Sequence, residues 1–183
     1  MRLFRSFRDD RALQRGSASY VATLMTEPQA GDVEWLSANA TRGDIDHAVW
    51  ELRYLRRALG ILVAQRDALD DRTHSEVLRT LASKMERDPH VDGDLRELAE
   101  RQFNARLSAY RDAFTSRGHG TPATRVAQNM LAFAGGPIRA DDPVVVRGTA
   151  LVTEVLAAAG EALRASFGTA ELPEDVPPSQ ILR

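Results

Sequence analysis

Two histidines stand in matching frames, each three residues after an aspartate, and these frames are the first candidates for chemistry. The frames run from Asp44 to His47 and from Asp71 to His74. A carboxylate and an imidazole at this spacing share one helix face, a geometry that di-iron bundle proteins exploit with Glu-x-x-His pairs. Both frames also lie at predicted helix starts, where aspartate is favoured because its side chain caps exposed amides. We therefore interpret both as caps and keep His47 and His74 only as candidate metal ligands.

Sequence motifs for the commonest enzyme classes are absent. The chain has no Gly-x-Gly-x-x-Gly, no phosphate-binding loop, no Gly-x-Ser-x-Gly and no His-Glu-x-x-His. It also has no cysteine, which removes thiolate ligands, cysteine nucleophiles and disulfides. We predict no catalytic residue, no cofactor and no metal, and we expect a protein that is not an enzyme.

A set of large apolar side chains forms the candidate lining of a ligand pocket between helices. Aromatic and methionine side chains on several helices can converge on one apolar cavity. At helical spacing the same residue types also make an ordinary core. The pocket candidates are Trp50, Tyr54, Met85, Phe103, Met130 and Phe133.

The strongest structural signal is a proline-free stretch from Asp44 to about Leu69. Its apolar residues recur at alternating spacings of four and three, which predicts one long helix. A second apolar ridge beside this seam makes the stripe wider than a two-stranded coiled coil needs, so several neighbouring helices are expected. The seam is Ala48, Leu52, Leu55, Leu59 and Leu62, and the ridge is Trp50, Tyr54, Ala58 and Ile61.

Start and stop signals divide the rest of the chain into further helices. A short helix is predicted from Asp32 to Ala40. The segment from Thr73 to Glu76 fits a capping box that opens another helix, and Asp88-Pro89 stops it. A long helix follows the turn at His90–Gly93, carries apolar residues from Leu95 to Phe114, and ends at Gly118–Gly120.

Two helices are predicted to begin with a capping residue followed by proline. These starts are Thr121-Pro122 and Asp142-Pro143. The second helix extends to about Phe167. The stretch from Val144 to Val146 has strand composition, but an isolated strand has no predicted partner, so we predict helix there.

We predict an all-α, single-domain bundle of about five to seven helices over residues 25–168. Residues 1–24 form a candidate N-terminal amphipathic extension, because Arg2, Arg5, Arg8 and Arg11 recur every three residues. Such a helix can contact an anionic membrane surface through residues 2–15, although we favour packing on the domain. Met1 and Met25 both remain candidate translation starts, and residues 169–183 are predicted to be an extended or mobile tail.

Composition constrains the partners and the compartment. With 24 Lys and Arg against 26 Asp and Glu, the net charge is −2, which lacks the basic field that phosphate binding needs. We expect no nucleic-acid binding. No apolar run approaches the roughly 20 residues that span a bilayer, and no secretory signal is present, so we expect a cytoplasmic protein.

Broad apolar faces without an assembled catalytic set predict a non-catalytic interaction or assembly module that associates with itself or with a protein partner. A helical small-molecule-binding domain with an apolar pocket is the first alternative. A metal-dependent bundle enzyme using His47 and His74 is the second. The sequence does not decide among the three.

Overall fold

The structure, a computed structural model, describes residues 2–68, 70–117 and 119–168, with side chains from residue 10 onward. This part of the chain contains seven α-helices and one short 3-10 helix, and no strand. The prediction of an all-α bundle is confirmed. The helices are α1 (Arg2–Leu24), α2 (Ala30–Asn39), α3 (Ile45–Asp67), α4 (Asp71–Glu86), a 3-10 turn (Gly93–Leu95), α5 (Arg96–Thr115), α6 (Pro122–Ala134) and α7 (Pro143–Phe167).

Three helix starts have the capping residues that the sequence predicts. The Asp44 side chain accepts a hydrogen bond from the amide of His47, and Thr121 and Asp142 cap α6 and α7 in the same way. Each cap satisfies an amide that has no partner within its own helix. Residues Val144 to Val146 are helical, so the rejection of a strand there is confirmed.

The predicted capping box at Thr73 is wrong, and Asp71, which was also interpreted as a cap, is instead the first residue of the helix. Helix α4 begins three residues earlier than that cap predicts, at Asp71, and its cap is Asp70, whose carboxylate accepts the amide hydrogen of Thr73 at 2.6 Å. An aspartate at the position before the helix caps as well as a threonine does, and the charge also suits the helix dipole. Thr73 and Glu76 therefore lie inside the first turns of α4, and Glu76 pairs with Arg79 instead.

Helix α3 is the centre of the bundle and contacts all of the other α-helices. Its seam residues Ala48, Leu52, Leu55 and Leu59 are buried. Where α3 meets α1, the side chain of Leu24 occupies the space beside Gly60, because a Cβ atom at Gly60 would overlap the terminal methyl groups of Leu24. The broad apolar stripe thus serves several neighbours at once, as the double ridge predicted.

The second half of α1 belongs to this core. Tyr20 and Val21 are fully buried, and the Tyr20 hydroxyl donates to the backbone oxygen of Gly60 at 2.8 Å. Gly16 lies against Phe167, so α1 also packs closely on the end of α7. The predicted basic face over residues 2–15 lies largely outside the described side chains, and the predicted tail over 169–183 lies wholly outside the described residues.

Helix α7 is long and apolar enough, by length and composition alone, to cross a membrane. Core helices of soluble proteins meet the same criterion. Here α7 packs against α1, α3 and α6, and Val145, Leu151 and Val152 are buried in those contacts. Gly148 faces Ala127 and Met130 of α6, which lets the two helices lie close together.

Candidate functional site

A cavity of about 650 Å³ lies among α3, α4 and α5. This volume is within the range of roughly 300 to 1,000 Å³ that is usual for small-molecule sites. The three helices diverge here, because α4 leaves the end of α3 to pack on α1 while α5 packs on α3. The loop after α4 contributes Val91 to the lining. The cavity is therefore a gap between helices of one domain.

Most of the cavity wall is apolar. On α3 and α5, the rings of Trp50, Tyr54 and Phe103 follow one another, with centroids 5.5 Å and 6.1 Å apart in successive pairs. Helix α4 faces them with aliphatic and sulfur side chains, a combination that binds flat or irregular apolar molecules well. The further apolar lining residues are Ile61, Leu78, Leu81, Met85, Val91 and Leu107.

One buried ion pair adjoins the apolar wall. Nη2 of Arg57, which lines the cavity, donates to Oδ2 of Asp88 at 2.7 Å, and the side chains are 4% and 2% exposed. Burial would raise the pKa of the Asp88 carboxyl, but hydrogen bonds from His90 and Arg57 outweigh it and lower that pKa. Asp88 is thus ionised at neutral pH, and the pair with Arg57 carries no net charge.

Arg57 keeps a donor without an acceptor. Its Nε is buried and has no hydrogen-bond partner among the described residues. A buried N–H that lacks an acceptor costs free energy, about 1 to 3 kcal/mol as judged from mutational studies.

Further charged side chains contact Asp88, the partner of Arg57, and the ring of Trp50. Oδ1 of Asp88 accepts hydrogen bonds from the backbone amide and the Nδ1 of His90, at 3.1 Å and 3.0 Å. Arg53 stacks over the Trp50 ring at 4.7 Å and donates twice to Glu27. These contacts fix the positions of Asp88 and Trp50 and so stiffen one end of the cavity.

A second buried ion pair lies beside the aromatic wall. The Arg106 guanidinium donates to both carboxylate oxygens of Glu51, which is 1% exposed, and His47 contacts the same carboxylate at 3.2 Å. Burial would lower the pKa of Arg106, but the hydrogen bonds and charge of Glu51 raise it. The Tyr110 hydroxyl is buried without a described partner, and burial raises its pKa.

The structure divides the six predicted pocket residues. Trp50, Tyr54, Met85 and Phe103 line the cavity. Met130 and Phe133 are not part of the lining. Phe133 is separated from the cavity by the guanidinium of Arg106, which lies between the rings of Tyr54 and Phe133, 5.0 Å from the centre of the first and 4.5 Å from that of the second. Met130, on α6, packs instead against Gly148 of α7.

The two histidines named as metal candidates are not brought together. His47 lies in the first turn of α3 and His74 in the first turn of α4, so almost the whole length of α3, roughly 30 Å at about 1.5 Å per residue, separates them along the chain. The His47 imidazole contacts Glu51, and Nε2 of His74 is buried without a described partner. Among the described residues, no three potential metal ligands of the His, Cys, Asp or Glu type cluster.

The four charged residues of the two buried ion pairs were not predicted as site residues: Arg57, Asp88, Glu51 and Arg106. A signal existed for two of them. Arg57 follows Trp50 by seven residues, and Glu51 follows Ala48 by three, so both interrupt apolar helix faces with a charge. A charge in such a position needs a buried partner. Their partners, Asp88 after α4 and Arg106 on α5, do not stand out in the sequence as buried charges.

Comparison with known proteins gives no further constraint, since no family model, curated protein or solved structure matches the chain.

Proposed function

We propose that this protein is a helical small-molecule-binding domain whose ligand occupies the cavity among α3, α4 and α5. The observation that carries the proposal is the cavity itself, about 650 Å³ with three aromatic rings on its wall. Its rim includes the exposed side chains of Arg79, Arg96 and Glu100, so the cavity is open to solvent and a ligand can enter it. A ligand that binds there would stabilise the folded state, because it binds the folded chain and not the unfolded one.

The geometry favours binding over catalysis. The lining combines many apolar side chains with a few polar groups, the usual composition of a binding pocket. The ionisable side chains nearest the aromatic wall are already engaged, with Arg57 on Asp88 and Arg106 on Glu51. A side chain held in this way positions its neighbours and is a poor proton donor or acceptor for a substrate.

The proposal is tested with the uncharged dye Nile red, whose fluorescence rises in an apolar site. We expect saturable binding with one site per chain. Ala99 lines the cavity from α5, so the larger side chain of Ala99→Trp should obstruct the cavity and weaken the binding of the dye. Ala105 is exposed on the same helix and outside the cavity, so Ala105→Trp is the matched control and should bind the dye as the unchanged protein does.

Equal dye binding by the Ala99→Trp and Ala105→Trp variants would contradict the proposal, provided that both unfold cooperatively. Native mass spectrometry of the protein from its own host supplies an independent test. A retained small molecule that is lost from the Ala99→Trp variant would identify the natural ligand directly.

A self-associating assembly module is the second candidate function. Leu95, the last residue of the 3-10 turn, and Leu98, in the first turn of α5, are 52% and 43% exposed, and their spacing of three residues puts them on one face. Exposed leucines in such a pair favour contact with another protein or with a second copy. Sedimentation of the unchanged protein and of a Leu95→Gln, Leu98→Gln variant tests this, since only an interface at this face would lose the oligomer.

The compartment that we propose remains the cytoplasm.

A further inference from the structure

We infer, on the basis of the proposed function, that the ligand is a small molecule with one unbranched aliphatic chain of about a dozen carbons, which lies along α3. The lining residues of α3 carry the inference, because Trp50, Tyr54 and Ile61 stand at spacings of four and seven residues and so share one face. At a rise of about 1.5 Å per residue, this face extends along α3 for roughly 16 Å. An extended chain of single bonds advances roughly 1.2 Å per bond, so about a dozen carbons match this length.

The wall on α5 has the same length and direction. Its lining runs from Arg96 to Leu107, which is again roughly 16 Å of helix. Glu51 of α3 pairs with Arg106 of α5, so their neighbours in sequence, Trp50 and Leu107, mark the same end of the cavity. The cavity is therefore a groove that runs parallel to the helices for about three turns.

The side chains that a ligand can contact in this groove are mainly aliphatic. Tyr54 and Phe103 line it but are only 3% and 5% exposed, so little of their rings is accessible for stacking. Flexible aliphatic and sulfur side chains adapt to an aliphatic chain better than to a rigid ring system. The apolar lining residues that are half-buried, and so present more surface, are Trp50, Leu78, Met85, Val91, Ala99 and Leu107.

The polar end of the molecule lies at the rim of the groove. Exposed charges of both signs stand there, with Arg79 and Glu86 on α4 and Arg96 and Glu100 on α5. Solvent screens exposed charges, so the rim accepts a polar group without a strong preference for its charge. The aliphatic chain therefore contributes most of the affinity, through the apolar surface that it buries.

Straight-chain primary alcohols from hexanol to tetradecanol test the inference by displacement of Nile red from the full chain, each below its solubility limit. We expect the affinity to rise about two- to fourfold with each added methylene group, since each buried methylene contributes hydrophobic free energy. The rise should end near dodecanol, whose extended length matches the groove. Cyclododecanol has as many carbons as dodecanol in a compact ring, and it should bind more weakly than decanol.

Variants at the ends of the groove show whether its length sets this limit. Leu107→Trp places a larger side chain at one end, so the rise in affinity should end at a shorter alcohol, near decanol. Leu156→Trp is the matched control and should leave the limit at dodecanol, because Leu156 is also half-buried but lies on α7, outside the cavity. The lining on α4 begins at Leu78, so Leu78→Trp provides the same test if Leu107→Trp does not unfold cooperatively.

The possible outcomes separate this inference from the proposed function. Three results overturn the inference and leave the binding function in place: an affinity that does not depend on chain length, a rise that continues unchanged to tetradecanol, or tighter binding of cyclododecanol than of decanol. A limit that stays at dodecanol in both Leu107→Trp and Leu78→Trp also overturns it. Failure of the protein to bind Nile red and every alcohol overturns the proposed function and the inference together.

Discussion

The carboxylate of Glu51 on α3 is held by the guanidinium of Arg106 on α5, with Nε of Arg106 donating to Oε2 at 2.8 Å. The two side chains are 1% and 10% exposed. Arg106 also stacks on Tyr54 and Phe133, so the ion pair of Glu51 and Arg106 lies between the aromatic wall of the cavity and the core. A buried charge is tolerated only with its partner, and this dependence gives a first prediction.

Arg106→Ala should destabilise the protein by about 3 to 5 kcal/mol, because it leaves the Glu51 carboxylate buried without its main partner. The measurement is urea denaturation. Arg101→Ala is the matched control on the same helix: Arg101 pairs with Glu97, both largely exposed, and exposed pairs contribute only about 0 to 1 kcal/mol. Similar losses of unfolding free energy in the two variants would show that the buried pair of Arg106 and Glu51 contributes no more to stability than an exposed pair.

Asp88 should make the stability depend on pH in the acid range. Its pKa is lowered in the folded protein, so its contribution is complete above the ordinary value of about 4 and is lost as the pH falls through the folded value. Urea midpoints at neutral pH and in acid measure this. Asp88→Asn should be less stable than the unchanged protein at neutral pH and should lose less on acidification. An identical acid loss in both proteins would contradict the assignment.

The addition of a methyl group at Gly60 should lower the stability of the protein. A methyl group there overlaps Leu24, which is 2% exposed and packed between α1 and α3, so Gly60→Ala should destabilise by about 1 to 3 kcal/mol through overpacking. Gly31 in α2 has nothing within 4 Å of the added atom, so Gly31→Ala is the control. It should be neutral or stabilising by up to about 1 kcal/mol. Thermal denaturation of both variants distinguishes the two effects by sign.

A chain that begins at Met25 should not fold cooperatively. It lacks Tyr20, Val21 and Leu24, three core side chains with at most 2% exposure, and each such loss costs a few kcal/mol out of a total of about 5 to 15. Circular dichroism during urea denaturation tests this against the full chain. A sharp transition with an unchanged midpoint would favour Met25 as a sufficient start.

Much of the helical architecture can be predicted from the sequence, because the signals that specify it are local. The spacing of Ala48, Leu52 and Leu55 marks the buried face of α3, and each cap at Asp44, Thr121 or Asp142 bonds an amide two or three residues ahead. Such contacts depend only on neighbours along the chain. The exception, Asp70 in place of Thr73, arose because two capping residues compete within one turn.

The candidate site could be predicted only in part. Residues on one helix face, such as Trp50 and Tyr54, share a wall because their spacing fixes their direction. The packing of the helices decided the rest. It paired Arg57 with Asp88 across 31 residues and Arg106 with Glu51 across 55, and it placed Arg106 between Tyr54 and Phe133.

The sequence by itself therefore determined the helices and their apolar faces, since periodicity and capping act over one or two turns. Only the tertiary structure decided where the helices leave a cavity between them and which charged side chains pair in the interior. The physical reason is that helices pack as rigid bodies, and small differences in their crossing fix the contacts between residues far apart in the chain.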